Sequence, residues 1–337
     1  MPRSSKSRSF LIGKVPPDSL VRAVYSHLGK GNPKLVLGPG IGRDTAVVKD
    51  GKKVMVFTTD PVTGTTRHIG EHSVQINAND IATTGARPIW YMCTLLLPPG
   101  TQEKKLSEIM NGINRASQRL GITVVGGHTE ATKGLDRPII AGFMVGEGRG
   151  RVLSSQGGRV GDKILLTKTA GLEGTAILAY DYHERLKRIP AAILTRARNF
   201  SRQISIVKEA LSIARITGVH ALHDPTEGGV LNGFWEMAEA SSTGIEVWKN
   251  QIPVAQETRK ICSALQLDPL KLMSSGCLMA AIDPSAVKRV TKVLRRLRVR
   301  VSEVGRLTPK TTGRTLVQGN RRRSLAAVPQ DELYKLG

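Results

Sequence analysis

Residues 54–88 read VMVFTTDPVTGTTRHIGEHSVQINANDIATTGARP, and this stretch decides the fold. Its first five residues are nearly all apolar and β-prone, which predicts a buried strand. We expect the strand to stop at Thr59-Asp60-Pro61, because proline cannot extend a ladder and forces the preceding residue out of the helical region. The Asp60 carboxylate would then lie at the carboxyl end of a buried strand, where open α/β sheets usually bind ligands.

A helix is predicted after this strand. Small and apolar residues recur at helical spacing between Val74 and Gly85, and Asn79 and Asp80 lie within this span. Two carboxylates, Asp60 from a strand and Asp80 from a helix packed on it, suit a hard cation such as Mg²⁺, which takes oxygen ligands and usually binds with phosphates. The alternative is a strand-capping Asp60 and a solvated Asp80, and the stretch alone does not separate the two.

Length and composition indicate a globular chain of about two domains. The chain has 337 residues, of which 40% are hydrophobic, and domains usually hold ~100–200 residues. No apolar run approaches the ~18–20 residues of a membrane span, and the basic start of the chain has too short an apolar core for a signal peptide. We therefore expect no membrane partner.

The number and spacing of the cysteines predict the cellular compartment. Cys93, Cys262 and Cys277 are far apart in the sequence and odd in number. This usage predicts reduced thiols and a cytoplasmic location. No second Cys or His lies at metal-ligand spacing, so we expect no structural zinc.

The net charge of +23 is concentrated late in the chain. Residues 286–323 hold thirteen Lys and Arg residues and one acidic residue, Glu303. Such a surface attracts polyanions or steers small phosphorylated substrates, and an ordinary solvated basic face is the third interpretation. Aromatic residues make up only 4% of the chain, so stacking platforms for single strands are scarce. Nucleic acid is therefore an open but not a favoured partner.

A glycine loop, GPGIGRD, spans residues 38–44 after a short apolar strand. A strand follows it rather than a helix, which argues against dinucleotide binding. We expect the backbone N–H groups at Gly40 and Gly42 to face phosphate oxygens, with Asp44 as a third metal ligand. No GxxxxGK[ST] motif occurs, which excludes a P-loop.

Two further segments are predicted to bind ligand. GGHTE, residues 126–130, follows a predicted strand at 122–125 and is expected to form a ligand loop, although a structural His128 is an equal alternative. HDPTEGG, residues 223–229, opens a helix, so Asp224 stands before a helix N-terminus with two glycines in its first turn. That arrangement predicts an anion site or, more simply, a capping Asp224.

Strands and helices alternate in both halves of the chain, which predicts a two-domain α/β or α+β fold. We expect a basic N-terminal arm at 1–34, an N-terminal domain with a mixed sheet at 35–150 and a C-terminal α/β domain at 160–325. The glycine- and arginine-rich residues 146–161 mark the boundary.

Taken together, the motifs resemble those of the PurM-like superfamily of ATP-dependent enzymes. Its members include aminoimidazole ribonucleotide synthetase, thiamine-monophosphate kinase, selenophosphate synthetase and the hydrogenase maturation factor HypE, and the second-half motifs look most like the HypE branch. The motifs are GRDTAVV (42–48), TTD (58–60), NANDIATTGARP (77–88), GGHTE (126–130), HDPTEGG (223–229) and LDPLKLMSSGCLMAAI (267–282).

The resemblance implies a homodimer that binds ATP at its interface and transfers or cleaves the γ-phosphate. The acceptor would be an amide or carbonyl oxygen of a small or protein-borne molecule. Magnesium would be held by Asp44, Asp60 and Asp80, with Asn79 beside them. The residues implied to line the nucleotide site are Gly40, Gly42, Gly126, Gly127, His128, Thr129, Asp224, Thr226, Gly228 and Gly229.

The chain also departs from the family pattern. The family writes GDDAA where this chain has Arg43-Asp44 after Gly42, so one carboxylate is missing and the metal count stays open. Lys14 falls where the selenophosphate enzyme has a lysine, which makes it a catalytic candidate. The cysteines expected just upstream are replaced by Leu11 and Gly13, which argues against selenium chemistry.

Three hypotheses follow. The first is a HypE-like enzyme that uses ATP and Mg²⁺, the second is a kinase of the thiamine-monophosphate type, and the third is a basic scaffold or nucleic-acid-associated protein without catalysis. No cysteine follows Cys277, whereas HypE carries a carbamoyl group on a terminal thiol. We therefore expect that this protein does not make the hydrogenase cyanide ligand and that its acceptor is a separate molecule.

Overall fold

The computed structural model describes residues 9–65 and 67–336. It contains two mixed sheets with packed helices, which confirms the predicted two-domain fold class. The first eight residues of the basic N-terminal arm predicted at 1–34 lie outside the described residues. Among the described residues, no helix combines the length and apolarity needed to cross a membrane.

The first sheet lies between residues 35 and 149 and has the strand order β1-β2-β3-β6-β4-β5. Its strands are β1 (Leu35–Leu37), β2 (Ala46–Asp50), β3 (Lys53–Val62), β4 (Arg87–Leu97), β5 (Thr123–Ala131) and β6 (Ile139–Arg149). The helices of this half are α1 (Pro17–Ala23), α2 (Ile69–Thr83) and α3 (Glu103–Leu120). The β4–β5 pair is parallel, and the other neighbours are antiparallel.

The second sheet lies between residues 163 and 324 and has the order β13-β12-β9-β11-β7-β10-β8. Its strands are β7 (Lys163–Thr167), β8 (Val219–His223), β9 (Gly244–Trp248), β10 (Met279–Ile282), β11 (Val301–Thr308), β12 (Arg314–Gln318) and β13 (Arg321–Ser324). The helices are α4 (Leu172–Asp181), α5 (Ala191–Arg198), α6 (Val207–Ala214), α7 (Gly229–Ala240), α8 (Gln256–Leu265) and α9 (Val287–Arg296).

The predicted end of the central strand was wrong. β3 continues through Asp60 and Pro61 to Val62, and Pro61 lies opposite Ala141 of β6. Proline lacks the backbone N–H that would donate a hydrogen bond in the sheet. At the neighbouring Asp60, the backbone groups that face away from β6 bond to an asparagine side chain instead of a strand. The Asp60 N–H donates to Asn77 Oδ1 at 3.0 Å, and Asn77 Nδ2 donates back to the Asp60 carbonyl at 3.3 Å.

The predicted ligand loop at 126–130 was also wrong, because these residues continue β5 in parallel pairing with β4 as far as Ala131. Gly127 allows this pairing, since a Cβ at that position would collide with the Cys93 carbonyl oxygen. GGHTE therefore forms the exposed edge of the sheet rather than a loop.

Helix α2 connects the two halves of the molecule. Nearly every one of its residues is buried, because one side packs on β3 and β6 and another packs on α3 and α6. Asn79 Nδ2 donates to the Ile204 carbonyl and Asn79 Oδ1 accepts the Ile206 N–H, both at 2.9 Å. The helix thus carries Asp80 into the junction between the sheets.

Candidate functional site

Four carboxylates gather where the two sheets meet. Asp44 precedes β2, Asp60 lies in β3, Asp80 lies in α2 and Asp224 follows β8. Asp80 and Asp224 are each 2% exposed, whereas the Asp44 side chain keeps 32% of its surface open. Burying several acids together is costly unless they are protonated or neutralised by a cation.

Thr58 links two of these acids. Its hydroxyl lies 2.7 Å from Asp80 Oδ2 and 2.7 Å from the Asp44 carbonyl oxygen. A hydroxyl donates only one hydrogen, so Thr58 can donate either to Asp80 Oδ2 or to the Asp44 carbonyl oxygen at one time. Burial, with the charges of Asp60, Asp224 and Asp44, raises the pKa of Asp80 well above its ordinary value.

Asp60 is also poised between protonation states. Burial, together with the charge of Asp44, raises the pKa of Asp60 to about 7, although Lys14 acts in the opposite direction. A carboxyl group with this pKa can exchange a proton near neutral pH.

An imidazolium stabilises the opposite side of the cluster. His223 Nε2 lies 2.9 Å from Glu236 Oε2, and its Nδ1 lies 3.4 Å from Asp44 Oδ2. Burial lowers the pKa of His223, but these two carboxylates outweigh burial and raise it to about 10. Burial likewise opposes ionisation of Asp44, yet the hydrogen bond and charge of His223 bring the Asp44 pKa to about 2.

The geometry adds Asp224 to the predicted cation site, whereas His223, as an imidazolium held between Asp44 and Glu236, cannot be a metal ligand. Over residues 9–65 and 67–336, the three side chains whose ligand atoms all lie within 4.8 Å of one another are Asp44, His223 and Asp224. The predicted trio Asp44, Asp60 and Asp80 does not converge to that extent.

Asp224 fits a hard cation because both its oxygens are buried and have no hydrogen-bond partner in the part of the chain that the structure describes. Burial and the charge of Asp44 raise its pKa well above the ordinary range. A divalent cation would offset the charge of these acids and supply the missing partner for Asp224.

Lys14 is a lysine that interacts with this acid cluster. Its Nζ lies 3.5 Å from Glu236 Oε1, and 46% of its side chain is exposed. The charge of Glu236 raises the pKa of Lys14, so the ammonium persists at neutral pH. The backbone N–H of Lys14 donates to Glu227 Oε2 at 2.9 Å, which fixes the chain around Lys14.

Two cavities open on either side of Lys14. The larger, of 680 Å³, contains the glycine loop with Gly40 and Gly42, and Asp44 lies on its wall. The smaller, of 360 Å³, contains Asp60. Thus the acid cluster lies between two spaces that share one lysine, and each is large enough for a small ligand.

The smaller cavity contains a group that the sequence interpretation missed. Glu173 of α4 is 2% exposed, and its Oε2 has no hydrogen-bond partner among the described residues. Its Oε1 is 3.9 Å from Nδ1 of His72. Burial raises the pKa of Glu173 to about 7, although the Ser275 hydroxyl lowers it. The only signal in the sequence was the position of Glu173 between Gly171 and Gly174, after a strand.

The predicted anion site at the start of α7 is contradicted. The Gly228 N–H donates to Asp331 Oδ2 at 2.7 Å, so the chain fills this helix terminus with its own carboxylate. A Cβ at Gly229 would lie 2.5 Å from the Leu270 carbonyl oxygen, so the start of the helix packs closely on the backbone of residues 270–272. Asp224 does not cap the helix, because Gly228 is its N-cap. Thr226 lines the smaller cavity.

Other predicted residues lie elsewhere. Asn79 uses its amide on the backbone of 204–206 and is a positioning residue. Gly126–Thr129 lie on β5, three strand spacings from β3 in the sheet order, or roughly 14 Å. His128 Nε2 lies 3.1 Å from Glu130 Oε2 on this exposed edge. Within one protomer these residues do not join the acid cluster.

The domain composition identifies the family. Residues 42–147 match the N-terminal domain of AIR synthase related proteins, and residues 159–318 match the C-terminal domain. The chain belongs to the AIR synthase related family. Within it, the relatives confirm the HypE-like branch of the PurM-like superfamily.

Several relatives of this family member are similar over most of its length. A putative hydrogenase expression/formation protein from Methanocaldococcus jannaschii is 29% identical, over 75% of either chain. Carbamoyl dehydratase HypE from Bradyrhizobium diazoefficiens is 29% identical, over 72% of this chain and 70% of its own. Thiamine-monophosphate kinase from Pyrococcus horikoshii is 30% identical, over 66% of this chain and 67% of its own.

Solved structures confirm the fold of this AIR synthase related chain. The HypE–HypF complex gives a TM-score of 0.74 at 18% identity, covering 92% of this chain and 99% of the other. HypE in complex with ATP gives 0.70 at 22% identity, covering 96% and 98%.

Proposed function

We propose that this protein is an ATP- and Mg²⁺-dependent enzyme that transfers or cleaves the γ-phosphate to activate an amide or carbonyl oxygen of an acceptor. The observation that carries the proposal is the buried acid cluster between two cavities, with Lys14 shared by both. Relatives that are a carbamoyl dehydratase and a kinase support an ATP-using reaction.

The larger cavity is assigned to the nucleotide. The glycine loop offers backbone N–H groups to phosphates, and Tyr25 and Trp235 supply aromatic surface for a base. Arg43 Nη1 donates to the Gly38 carbonyl at 3.4 Å, so the residue that replaces the family's acid folds back over the loop.

The acids provide the cation site. Asp44, Asp60, Asp80 and Asp224 would hold Mg²⁺, which neutralises and orients phosphate oxygens when bound. His223, fixed between Asp44 and Glu236, keeps Asp44 ionised and in place. Lys14 points its ammonium between the cavities, where charge develops on a phosphoryl group in transfer.

The smaller cavity is assigned to the acceptor. Asp60 and Glu173 line it and both have pKa values raised to about 7. Glu173, which is not among the proposed Mg²⁺ ligands, can therefore take a proton from an acceptor near neutral pH. The negative charge of these carboxylates disfavours an acceptor that carries its own phosphate. This repulsion argues against the thiamine-monophosphate kinase alternative, although a kinase of that type from Pyrococcus horikoshii is among the relatives.

We also propose a homodimer built on the first sheet. Along β4, Tyr91 and its alternate neighbours are buried, whereas Trp90 and Met92 on the other face are 46% and 37% exposed. A second copy covering this face would bury the apolar surface. It would also carry Gly126–Thr129 toward a nucleotide bound by its partner.

The acceptor is proposed to be a separate molecule rather than a cysteine of this chain. All three cysteines are buried, and burial raises the pKa of Cys262 and of Cys277 to about 12. A thiol of that pKa is a poor nucleophile. Incubation with carbamoyl phosphate and ATP should leave the intact mass unchanged, and a stable adduct lost on mutating one cysteine would overturn this assignment.

The proposal is tested by a turnover screen. Purified protein is incubated with Mg-ATP and candidate amide- or carbonyl-bearing acceptors, and ADP, AMP and phosphate are separated by chromatography. We expect acceptor-dependent release of ADP and phosphate that is lost in Asp80→Asn and kept in Asp136→Asn, whose carboxylate is 87% exposed. Equal nucleotide release by both variants would refute the assignment.

A further inference from the structure

A further cavity, distinct from the two beside the acid cluster, is strongly basic. A groove of 940 Å³ runs between the start of β4, the end of β6 and helix α6. Glu147 is its one acidic lining residue, and its cations are four arginines, Arg87, Arg149, Arg151 and Arg215.

These arginines are exposed and available. Among the described residues none of the four forms an ion pair with a carboxylate, whereas Arg115, Arg306 and Arg322 elsewhere pair with Glu71 or Glu246. Four cations in one groove repel one another, and an anionic ligand would relieve that repulsion.

The groove continues onto helix α9. Arg151 donates to the Val219 carbonyl, and Arg289 donates to the Thr217 carbonyl at 2.6 Å, so the two arginines bind carbonyl groups two residues apart in the chain. Val290 and Leu294 bury the inner face of α9 in the core cluster that includes α6. The outer face of α9 carries exposed cations, which are Lys288, Arg289, Lys292, Arg295 and Arg296.

We propose that this basic belt, the four groove arginines together with the outer face of α9, binds the phosphate backbone of a double-stranded nucleic acid. The repeated cations match a repeated anion rather than a single phosphate. No residue lining the groove is an exposed large hydrophobic that could insert into a membrane. The low aromatic content of 4% favours a duplex over an unstacked single strand.

The belt does not overlap the proposed nucleotide site. Arg149 pairs with Lys53 at the start of β3, whereas Asp60 lies seven residues further along the same strand. At the rise of a β-strand this separation is about 24 Å. Occupation of the belt and of the acid cluster can therefore be measured separately.

The binding should depend steeply on salt. If the belt contacts five or six phosphates, the slope of log K against log salt is about −5, and affinity falls ~10³-fold between 50 and 200 mM salt. Each arginine that contacts a phosphate should contribute about one unit of that slope.

Fluorescence anisotropy with a labelled 24-base-pair RNA duplex and the matching DNA duplex tests the proposal over this salt range. We expect Arg87→Glu/Arg215→Glu to bind at least tenfold more weakly and to reduce the slope by about two. The control Lys104→Glu/Lys133→Glu makes the same change in net charge beyond the opposite end of β4 and should keep the wild-type slope. Binding of a non-hydrolysable ATP analogue should be unchanged in both.

Three outcomes would overturn the proposal. The first is a wild-type protein that does not bind either duplex at 50 mM salt. The second is an equal loss of slope in the belt and control variants, which would indicate diffuse net charge rather than a site. The third is tighter sedimentation with phosphatidylserine vesicles than binding to either duplex, which would indicate a membrane surface. A Lys288→Glu/Lys292→Glu variant on α9 repeats the test should the groove variant fail to fold.

Discussion

Glu173 is a residue whose burial costs folding stability but supplies a carboxyl group that can exchange a proton near neutral pH. Its carboxyl is buried beside His72, and burial lowers the pKa of His72 to about 4, so His72 is neutral and does not offset the charge of Glu173. The folded protein raises the pKa of Glu173 from 4.5 to about 7. The folded state therefore binds this proton more tightly than the unfolded chain does, and the associated stability is present below about pH 4.5 and lost as pH rises through 7.

The Glu173→Gln variant has no such titration. We expect it to be more stable than wild type at pH 8, by on the order of 1–3 kcal/mol, with a difference that shrinks toward pH 5. Urea unfolding at the two pH values measures this, with Glu184→Gln, at a site 65% exposed, as control. A Gln variant that is less stable at both pH values would show that Glu173 is a structural partner instead.

At the scale of single residues, the sequence singled out acids of the cluster but did not predict how the acids are arranged. Asp60 and Asp80 could be recognised because one lies in a buried apolar strand and the other on a helix that packs on it, although β3 runs two residues past Asp60. Asp224, assigned to an anion site, lies among the acids instead. Its neighbours come from elements far apart in sequence, which local patterns do not bring together.

Among the elements, β5 departs most from its prediction. Glycines usually mark a loop, yet parallel pairing with β4 carries the strand through Gly126 and Gly127. Helix α6 begins only at Val207, since Asn79 holds the backbone of Ile204 and Ile206 outside it. Such features arise from long-range hydrogen bonds, whereas α2 followed from periodicity.

The open face of β4 yields a prediction about assembly. We expect the wild-type protein to be a dimer of 36.4 kDa chains and Trp90→Lys to shift it toward monomer, because a buried charge destabilises an apolar interface. Light scattering at micromolar concentration measures both. Val160→Lys, at a site 57% exposed in the second half, is the matched control and should stay dimeric. A monomeric wild type would contradict this.

At the scale of the whole molecule, α2 joins the halves and places Asp80 between them. Asn79 is fully buried and binds the Ile204 carbonyl and the Ile206 N–H across this junction. Asn79→Ala would leave two buried backbone groups unpaired, so we expect a loss on the order of 2–4 kcal/mol in unfolding free energy.

Denaturant unfolding tests this, with Asn111→Ala on the exposed side of α3 as control. The expected result is a large loss for Asn79→Ala and less than about 0.5 kcal/mol for the control. Equal, small effects would mean that the junction does not depend on Asn79.

The central claim is that the carboxylates at this junction form a Mg-ATP site, and calorimetric titration with a non-hydrolysable ATP analogue tests it most directly. We expect wild-type and Asp136→Asn protein to bind the analogue only with Mg²⁺. Asp60→Asn, Asp80→Asn and Asp224→Asn should bind at least ~tenfold more weakly, about 1.4 kcal/mol. Wild-type affinity in all three variants, or tight binding that ignores Mg²⁺, would contradict the account.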